Sequence, residues 1–347
     1  MKKERNSDDI KALRSAKISE RNVLIDNFKG VLTLLYMAVH VIIHMDKTAD
    51  FTVPAWVGHS NPVVIAAWGF NPIDLGPILF FFVIGFVLFD SFNTGYAKIG
   101  AAAYKRVFIR NAAFLGVFLG LMFIAGLIGG ETSIATWNTV PSIGFTGLLA
   151  VPFLSPRLTK SAWGKLACAA AVTVFYYFAR DVLFKYLAAQ KEAHAGGMAA
   201  CVGYLGIVLL AGFIRDISKK GFLPYAALTA ALWLAGRYVY LIDTPSFPQL
   251  NAVYMFSALS KVNLAYFIFY TADKLFLKNR PIPLIAAMGR NIMLFLFLIL
   301  AVQAAYALFE IFPAANMTDG WIRVGVVGAI YLLAAIPLEK KKITFKL

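Results

Sequence analysis

Six polar side chains recur along one otherwise apolar stretch near the amino terminus. They are Asp26, Lys29, Thr33, Tyr36, His40 and His44. At 100° per residue they share an arc of about 80° on a helix, and the rest of that helix is almost wholly apolar. Imidazole titrates near neutral pH and can act as a general base, so His40 and His44 are the candidate catalytic groups of this polar stripe.

The two histidines are spaced i, i+4, which raises the question of a metal site. Such a pair supplies half of a zinc site, but no glutamate follows His40 and no cysteine pair accompanies it, so we predict no metal. Polar groups that only hydrogen-bond neighbouring helices are a second alternative. Ionisable groups inside a membrane are costly and usually functional, which favours a chemical role for this pair.

A second polar cluster follows in the segment FNPIDLGPILFFFVIGFVLFDSF, residues 70–92. Asp74 comes two residues after Pro72, where a carboxylate either stabilises the start of a helix or takes part in catalysis. Three basic residues, Lys105, Arg106 and Arg110, lie at the start of the next apolar run. They either set the topology of the chain or bind phosphates, for which arginine is well suited.

Four polar residues in later apolar runs are candidates for binding an anionic donor: Lys261, Asn263, Arg290 and Asn291. A lysine at the depth of Lys261 needs a partner, which we expect to be Asp74 or a phosphate of the donor. Lys29 lies about 16 Å along the helix axis from His40. We therefore expect Lys29 to pair with Asp26 or Asp74, or to bind the donor.

These side chains must be positioned by membrane helices, because the composition excludes an ordinary soluble domain. Hydrophobic residues make up 60% of the chain and charged residues 15%, whereas soluble domains are about 25% charged. A spanning helix needs about 20 apolar residues. Ten segments come close to that length: 23–45, 63–92, 107–128, 138–154, 162–180, 198–214, 221–241, 250–276, 282–312 and 321–338. The sequence predicts an all-α, polytopic integral membrane helix bundle.

The basic residues indicate how the chain is oriented. Of the 33 Lys and Arg residues, 24 lie in segments that face inward if the amino terminus is inside, and four lie in outer loops. The positive-inside rule then predicts a multi-pass inner-membrane protein with both termini cytoplasmic. The net charge of +15 reflects this topology rather than nucleic-acid binding. We divide the chain into a basic tail (1–22), a transmembrane domain (23–338) and a second basic tail (339–347).

The first two segments resemble the acyltransferase-3 family, whose first span carries an arginine, ten residues and then a histidine. Here Lys29, ten residues and His40 correspond, with lysine in place of arginine. Asp74 followed by Phe81-Phe82-Val83-Ile84-Gly85-Phe86 is similar to the family's second signature, with Ile84 where a serine is common. Arg106 and Arg110 are similar to its basic pair.

The chain also resembles the bacterial relatives of heparan-α-glucosaminide N-acetyltransferase. Those proteins have a tryptophan before the aspartate of the second helix, as Trp68 and Asp74 here, and a Gly-Arg-Asn near the end, as Gly289-Arg290-Asn291. Ile65 stands where that branch carries a histidine, which favours His40 as the base. Both families belong to one superfamily of transmembrane acyltransferases.

The resemblance implies a bundle of about ten helices that takes acetyl-CoA or another acyl-CoA as cosubstrate from the cytoplasm. The acceptor would be a glycan or small molecule. Lys105, Arg106 and Arg110 would hold the donor phosphates and His40 would be the general base, with His44 either contacting the acceptor or being the base itself. O- or N-transfer, direct transfer or an acyl-histidine, and homo-oligomer formation stay open.

Two alternatives from other functional classes remain. A proton-coupled secondary transporter would also use buried His, Asp and Lys residues, but the sequence shows no inverted repeat. A non-catalytic membrane component of surface polysaccharide assembly would have ionisable residues that pair off with one another.

Overall fold

The structure, a computed structural model, describes residues 23–45, 72–127, 139–187, 196–242, 250–299 and 317–344. Within these ranges every regular element is a helix, which confirms the all-α prediction. The amino-terminal tail, Trp68, parts of the predicted spans 63–92 and 282–312, and residues 345–347 of the carboxyl-terminal tail lie outside the described residues.

Ten helices of eight or more residues have defined bounds in the described chain. They are α1 (Val23–Met45), α2 (Gly76–Ile99), α3 (Ala102–Leu127), α4 (Thr139–Ala150), α5 (Ala162–Leu187), α6 (Gly197–Ser218), α7 (Phe222–Tyr238), α8 (Ala252–Ala272), α9 (Pro283–Arg290) and α10 (Met317–Lys340). Short 3₁₀ segments precede α2 (Pro72–Leu75) and follow α4 (Val151–Leu154) and α7 (Val239–Leu241), and a π-helical turn (Asp273–Leu277) follows α8.

The chain is a membrane protein. Five of the described helices are long and apolar enough to cross a bilayer: Gly76–Ile99, Ala162–Tyr186, Gly197–Ser218, Ala252–Leu277 and Thr318–Lys340. A helix satisfies its own backbone hydrogen bonds, which is the condition for spanning lipid. Each of the five overlaps a segment predicted from the apolar runs of the sequence.

The ninth predicted segment, 282–312, is not one continuous helix. Helix α9 ends at Arg290, Asn291 leaves the helical conformation with φ −120° and ψ 30°, and residues 292–299 are again helical. The sequence does not reveal this break, because Asn291 is a single polar residue in an apolar run. In the structure the Asn291 side-chain amide donates to the carbonyl of Ala287 inside α9. Arg290 and Asn291 therefore lie at a helix break within the predicted segment.

The chain divides into two compact units. The terminal unit comprises residues 1–50 and 269–346, and in it α1 packs on α9 and α10. The central unit comprises residues 51–268, and in it α6 is the most enclosed helix, packed against α2, α4, α5 and α7. Close helix approach in the central unit depends on small residues: a Cβ at Gly85 of α2 would lie 2.3 Å from the carbonyl oxygen of Val208 on α6, as expected for packing in lipid.

Candidate functional site

The polar stripe of α1 faces the interior of the terminal unit along its described length. Asp26 and Thr33 are buried, and the side chain of Lys29 is only 13% exposed. Leu35, which helical geometry places opposite Asp26, is 57% exposed. The Lys29 ammonium lies 3.0 Å from an Asp26 carboxylate oxygen, one of the pairings expected from the sequence. Thr33 donates a hydrogen bond to the carbonyl of Lys29, 2.8 Å away.

His40 and His44 belong to the same unbroken helix, α1. Their backbone positions continue the polar face by 100° per residue, as predicted. Their side chains lie outside what the structure describes.

One buried amide that the sequence analysis missed anchors this end of α1. Asn27 is fully buried. Its side-chain nitrogen donates to the carbonyl of Arg280 at 3.0 Å, and its side-chain oxygen accepts from the backbone N–H of Ile282 at 3.0 Å. This two-point contact fixes the chain just before α9. A buried asparagine within an apolar run was the available signal, but the sequence could not name its partners.

The Gly289-Arg290-Asn291 motif forms a packing node of the terminal unit. A Cβ at Gly289 would lie 1.8 Å from the carbonyl oxygen of Asp26, so only glycine fits this crossing of α9 and α1. Arg290 forms an ion pair with Glu339 near the end of α10. Asn291 is buried and donates to the carbonyls of Ala287 at 2.9 Å and Ile343 at 3.2 Å. Each polar member of the motif therefore has partners within the unit.

Asp74 lies in the central unit, in the 3₁₀ segment before α2, and is almost completely buried. Its backbone carbonyl accepts a hydrogen bond from the Tyr254 hydroxyl at 2.5 Å. The N-cap residue of α2 is Leu75, and no side chain caps that end. The N-cap position is therefore Leu75 and not Asp74. Asp74 is instead bonded through its backbone carbonyl to Tyr254 of α8.

The basic group Lys105, Arg106 and Arg110 lies along the first three turns of α3, and all three side chains are exposed. None of them forms an ion pair with another described residue, in contrast to Arg290. Their cationic groups are accordingly available to an external anion such as a phosphate.

Lys261 and Asn263 occupy different surroundings on α8. Asn263 is fully buried, accepts from the Tyr225 hydroxyl at 3.0 Å and donates to Thr229 Oγ1 at 3.1 Å. These contacts join α8 to α7. The Lys261 side-chain nitrogen lies within hydrogen-bond distance of Ser257 Oγ, at 2.5 Å, and of the Tyr240 hydroxyl, at 3.2 Å.

A charge cluster that the sequence analysis did not single out joins α2, α5 and α6. Lys165, buried at the start of α5, pairs with Asp216 of α6 and lies over the ring of Phe89 at 5.1 Å. Asp90 of α2 pairs with Arg215 at 3.4 Å and with Lys219 at 2.5 Å. The signal in the sequence was the adjacent residues Arg215 and Asp216 at the end of an apolar run. Only Arg215 entered the positive-inside count, because that count uses Lys and Arg alone.

A scan against models of known protein families finds no match for this chain, and a search of curated proteins finds none either.

The described residues contain no group of three or more His, Cys, Asp or Glu side chains that could hold a metal ion. What they do contain is a paired cation on the polar face of α1, an exposed basic group on α3 and a hydroxyl–amine cluster on α8. The exposed basic group suits binding of an anionic substrate, and the hydroxyl–amine cluster suits proton transfer.

Proposed function

We propose that this chain is a membrane-embedded acyltransferase. It moves an acyl group, acetyl in the simplest case, from a cytoplasmic CoA thioester to the hydroxyl or amine of a glycan or similar acceptor. The observation that carries the proposal is the inward-facing polar stripe of α1, on which Asp26, Lys29 and Thr33 are enclosed by protein while Leu35 on the opposite side is exposed. Such a stripe is costly in a membrane unless it lines a working surface.

In this proposal His40 accepts the proton of the acceptor group as that group attacks the thioester carbonyl. His44, one turn further along α1, either contacts the acceptor or serves as the base. The Asp26–Lys29 pair keeps the charges of the stripe balanced inside the unit. Asp74 is a further catalytic candidate, because it is a buried carboxylate of the second segment.

The cosubstrate CoA carries several phosphate charges, and the exposed basic group of α3 fits that chemistry. Lys105, Arg106 and Arg110 have no carboxylate partner among the described residues, and two arginines one turn apart suit phosphate oxygens. Lys261, Asn263, Arg290 and Asn291 support this role less well, since each makes hydrogen bonds or an ion pair within its own unit.

The proposal includes a topology. The chain crosses the inner membrane about ten times and both termini face the cytoplasm, because the basic residues concentrate in the segments on that side. The donor then meets the protein from the cytoplasm.

The test is release of free CoA when purified protein in nanodiscs meets acetyl-CoA and candidate glycans. We expect His40→Ala to lower turnover by at least about 100-fold, the usual contribution of a general base. Leu35→Ala, on the opposite face of the same helix, is the matched control and should keep its activity. Full turnover in His40→Ala with loss in His44→Ala would move the role of base to His44. If folded wild-type protein released no free CoA, the proposal that the chain is an acyltransferase would be wrong.

The pairing of charges favours one second candidate, a non-catalytic membrane component. Lys29 pairs with Asp26, Arg290 with Glu339, and Lys165 with Asp216. A protein that only assembles with others needs its ionisable groups neutralised in this way. Absence of turnover in the same assay, together with co-purification of a polysaccharide-assembly complex, would favour this candidate.

A further inference from the structure

Three polar side chains of the central unit form a closed triangle of hydrogen bonds. Lys261 Nζ lies 2.5 Å from Ser257 Oγ and 3.2 Å from Tyr240 Oη, and Tyr240 Oη lies 2.9 Å from Ser257 Oγ. Ser257 is buried, whereas Lys261 and Tyr240 are partly exposed. The triangle is therefore reached from the side of the amine and the phenol.

The sequence builds this triangle from two elements. Ser257 and Lys261 are one turn apart on α8, so helical geometry alone brings their side chains together. Tyr240 comes from the 3₁₀ segment Val239–Leu241 that follows α7. Close packing of α7 on α8 holds this segment in place, because a Cβ at Gly236 would lie 2.1 Å from Ser260 Oγ.

Solvation of the lysine is the simplest explanation of these contacts, and it accounts for only part of them. A lysine in an apolar helix needs oxygen partners, and the carbonyl and hydroxyl of Ser257 supply two, at 3.4 and 2.5 Å. Solvation does not require the Ser257 hydroxyl to contact a phenol as well. A serine hydroxyl held by both an amine and a second proton carrier is the arrangement that activates a serine nucleophile in serine–lysine enzymes.

We propose that Ser257 is a nucleophile that accepts an acyl group, with Lys261 as its base and Tyr240 as a proton carrier. The substrate class is a carboxylic ester or thioester whose acyl chain lies in the bilayer. Beside Tyr240, the large side chains of Tyr238, Leu241 and Ile242 are each at least 66% exposed. An apolar surface of this kind next to the triangle suits an acyl chain that approaches from lipid.

The reactive form has Lys261 as the neutral amine, whose two N–H groups serve the Tyr240 hydroxyl and the Ser257 carbonyl. Its lone pair takes the proton of Ser257 as Oγ attacks the carbonyl carbon; the Oγ–C bond forms and the bond from carbon to the leaving oxygen or sulfur breaks. The proton passes from Lys261, directly or through Tyr240, to the leaving group, which departs as an alcohol or thiol. Attack by an acceptor hydroxyl or by water on the acyl-serine then releases the acyl group and returns the proton to Ser257.

This site does not involve His40 or His44, so it goes beyond the acyltransferase proposal and stands without it. The experiment is labelling of wild-type protein in nanodiscs with an alkyl fluorophosphonate, followed by mass spectrometry of the modified peptide. We expect one phosphonate adduct, located on Ser257.

Variants test the roles. Lys261→Met should slow labelling by at least about 100-fold, the lower end of what a general base contributes. Tyr240→Phe should slow it by a smaller factor, because Lys261 can pass the proton directly. Ser218→Ala is the matched control: its hydroxyl donates to the carbonyl of Arg215 on α6 at 2.7 Å and is outside the triangle, so labelling should be unchanged. Thermal unfolding of each variant verifies the fold.

No adduct on Ser257 in the wild-type protein would overturn the proposal, and this result does not depend on any variant folding. Equal labelling rates in the wild type and in folded Lys261→Met would also overturn it, since lysine would then not be the base. The CoA-release assay with His40→Ala is a separate measurement, so failure of one site is distinguishable from failure of the other.

Discussion

Gly30 of α1 and Gly289 of α9 each lie so close to the backbone of the other helix that neither position has room for a side chain. A Cβ at Gly30 would lie 2.0 Å from the carbonyl oxygen of Ile285, and a Cβ at Gly289 would lie 1.8 Å from the carbonyl oxygen of Asp26 and 2.8 Å from the backbone nitrogen of Gly30. The two glycines form a reciprocal contact that sets the crossing of the helices. Because α1 carries the polar stripe, this contact also sets which way the stripe faces.

Replacing either glycine should destabilise the terminal unit. We expect Gly289→Ala to lower the free energy of unfolding by about 1–3 kcal/mol, the usual cost of overpacking, because backbone rather than a flexible side chain blocks the new methyl group. The measurement is thermal unfolding in detergent. Gly325→Ala on α10 is the control, since nothing lies within 4 Å of its Cβ position; equal losses in the two variants would contradict the role of the crossing.

Removing Asn27 should loosen the segment between α8 and α9. Asn27→Ala deletes the amide that bonds Arg280 and Ile282. Both bonds are partly buried, so the loss of each should cost about 1 kcal/mol, the net contribution of an ordinary hydrogen bond. Trypsin reports the change, because Lys278 and Arg280 are exposed there. Cleavage after these residues should become faster in Asn27→Ala than in Thr94→Ala, whose side chain is exposed. Unchanged cleavage would show that the segment does not depend on Asn27.

The Lys165–Asp216 pair should show strong coupling in a double-mutant cycle. Asp216→Leu leaves the lysine charge buried and should cost about 3–5 kcal/mol, and adding Lys165→Met should restore much of that loss, because a buried apolar pair replaces a buried ion pair with little penalty. Thermal unfolding of the three variants gives the coupling. In the exposed Arg180–Asp181 pair, Asp181→Asn should change stability by less than about 1 kcal/mol. If the effects of Lys165→Met and Asp216→Leu on the free energy of unfolding simply added in the double variant, the two residues would not form a coupled buried pair.

The proposed orientation predicts which introduced cysteines a membrane-impermeant maleimide can reach in intact cells. Lys185→Cys, near the end of α5, should be labelled from outside, and Lys219→Cys, after α6, only once the membrane is permeabilised; both positions are exposed. Replacing Cys168 by serine removes a partly exposed background thiol, whereas Cys201 is buried. The opposite labelling pattern would reverse the topology and move the donor to the other face.

Much of the architecture follows from local properties of the sequence. Apolar runs of about 20 residues specify membrane helices one segment at a time, so the all-α class and the overlap of five predicted segments with long apolar helices did not depend on long-range contacts. The polar stripe of α1 was equally readable, since helical geometry places Asp26, Lys29 and Thr33 on one face. The pairing of Lys29 with Asp26, one of the sequence-based expectations, joins residues three apart.

Only the tertiary structure decided which apolar faces meet protein and how the helices join. Protein and lipid are about equally apolar, so hydropathy does not separate α8 from α5. Their most apolar stretches have the same mean hydropathy, but that of α8 is 61% buried and that of α5 is 11% buried. The contacts that define the sites join distant residues: Asn27 and Arg280 are 253 positions apart, and Tyr240 reaches Ser257 across the connection from α7 to α8. No periodicity encodes such pairs, because they exist only after the helices have packed.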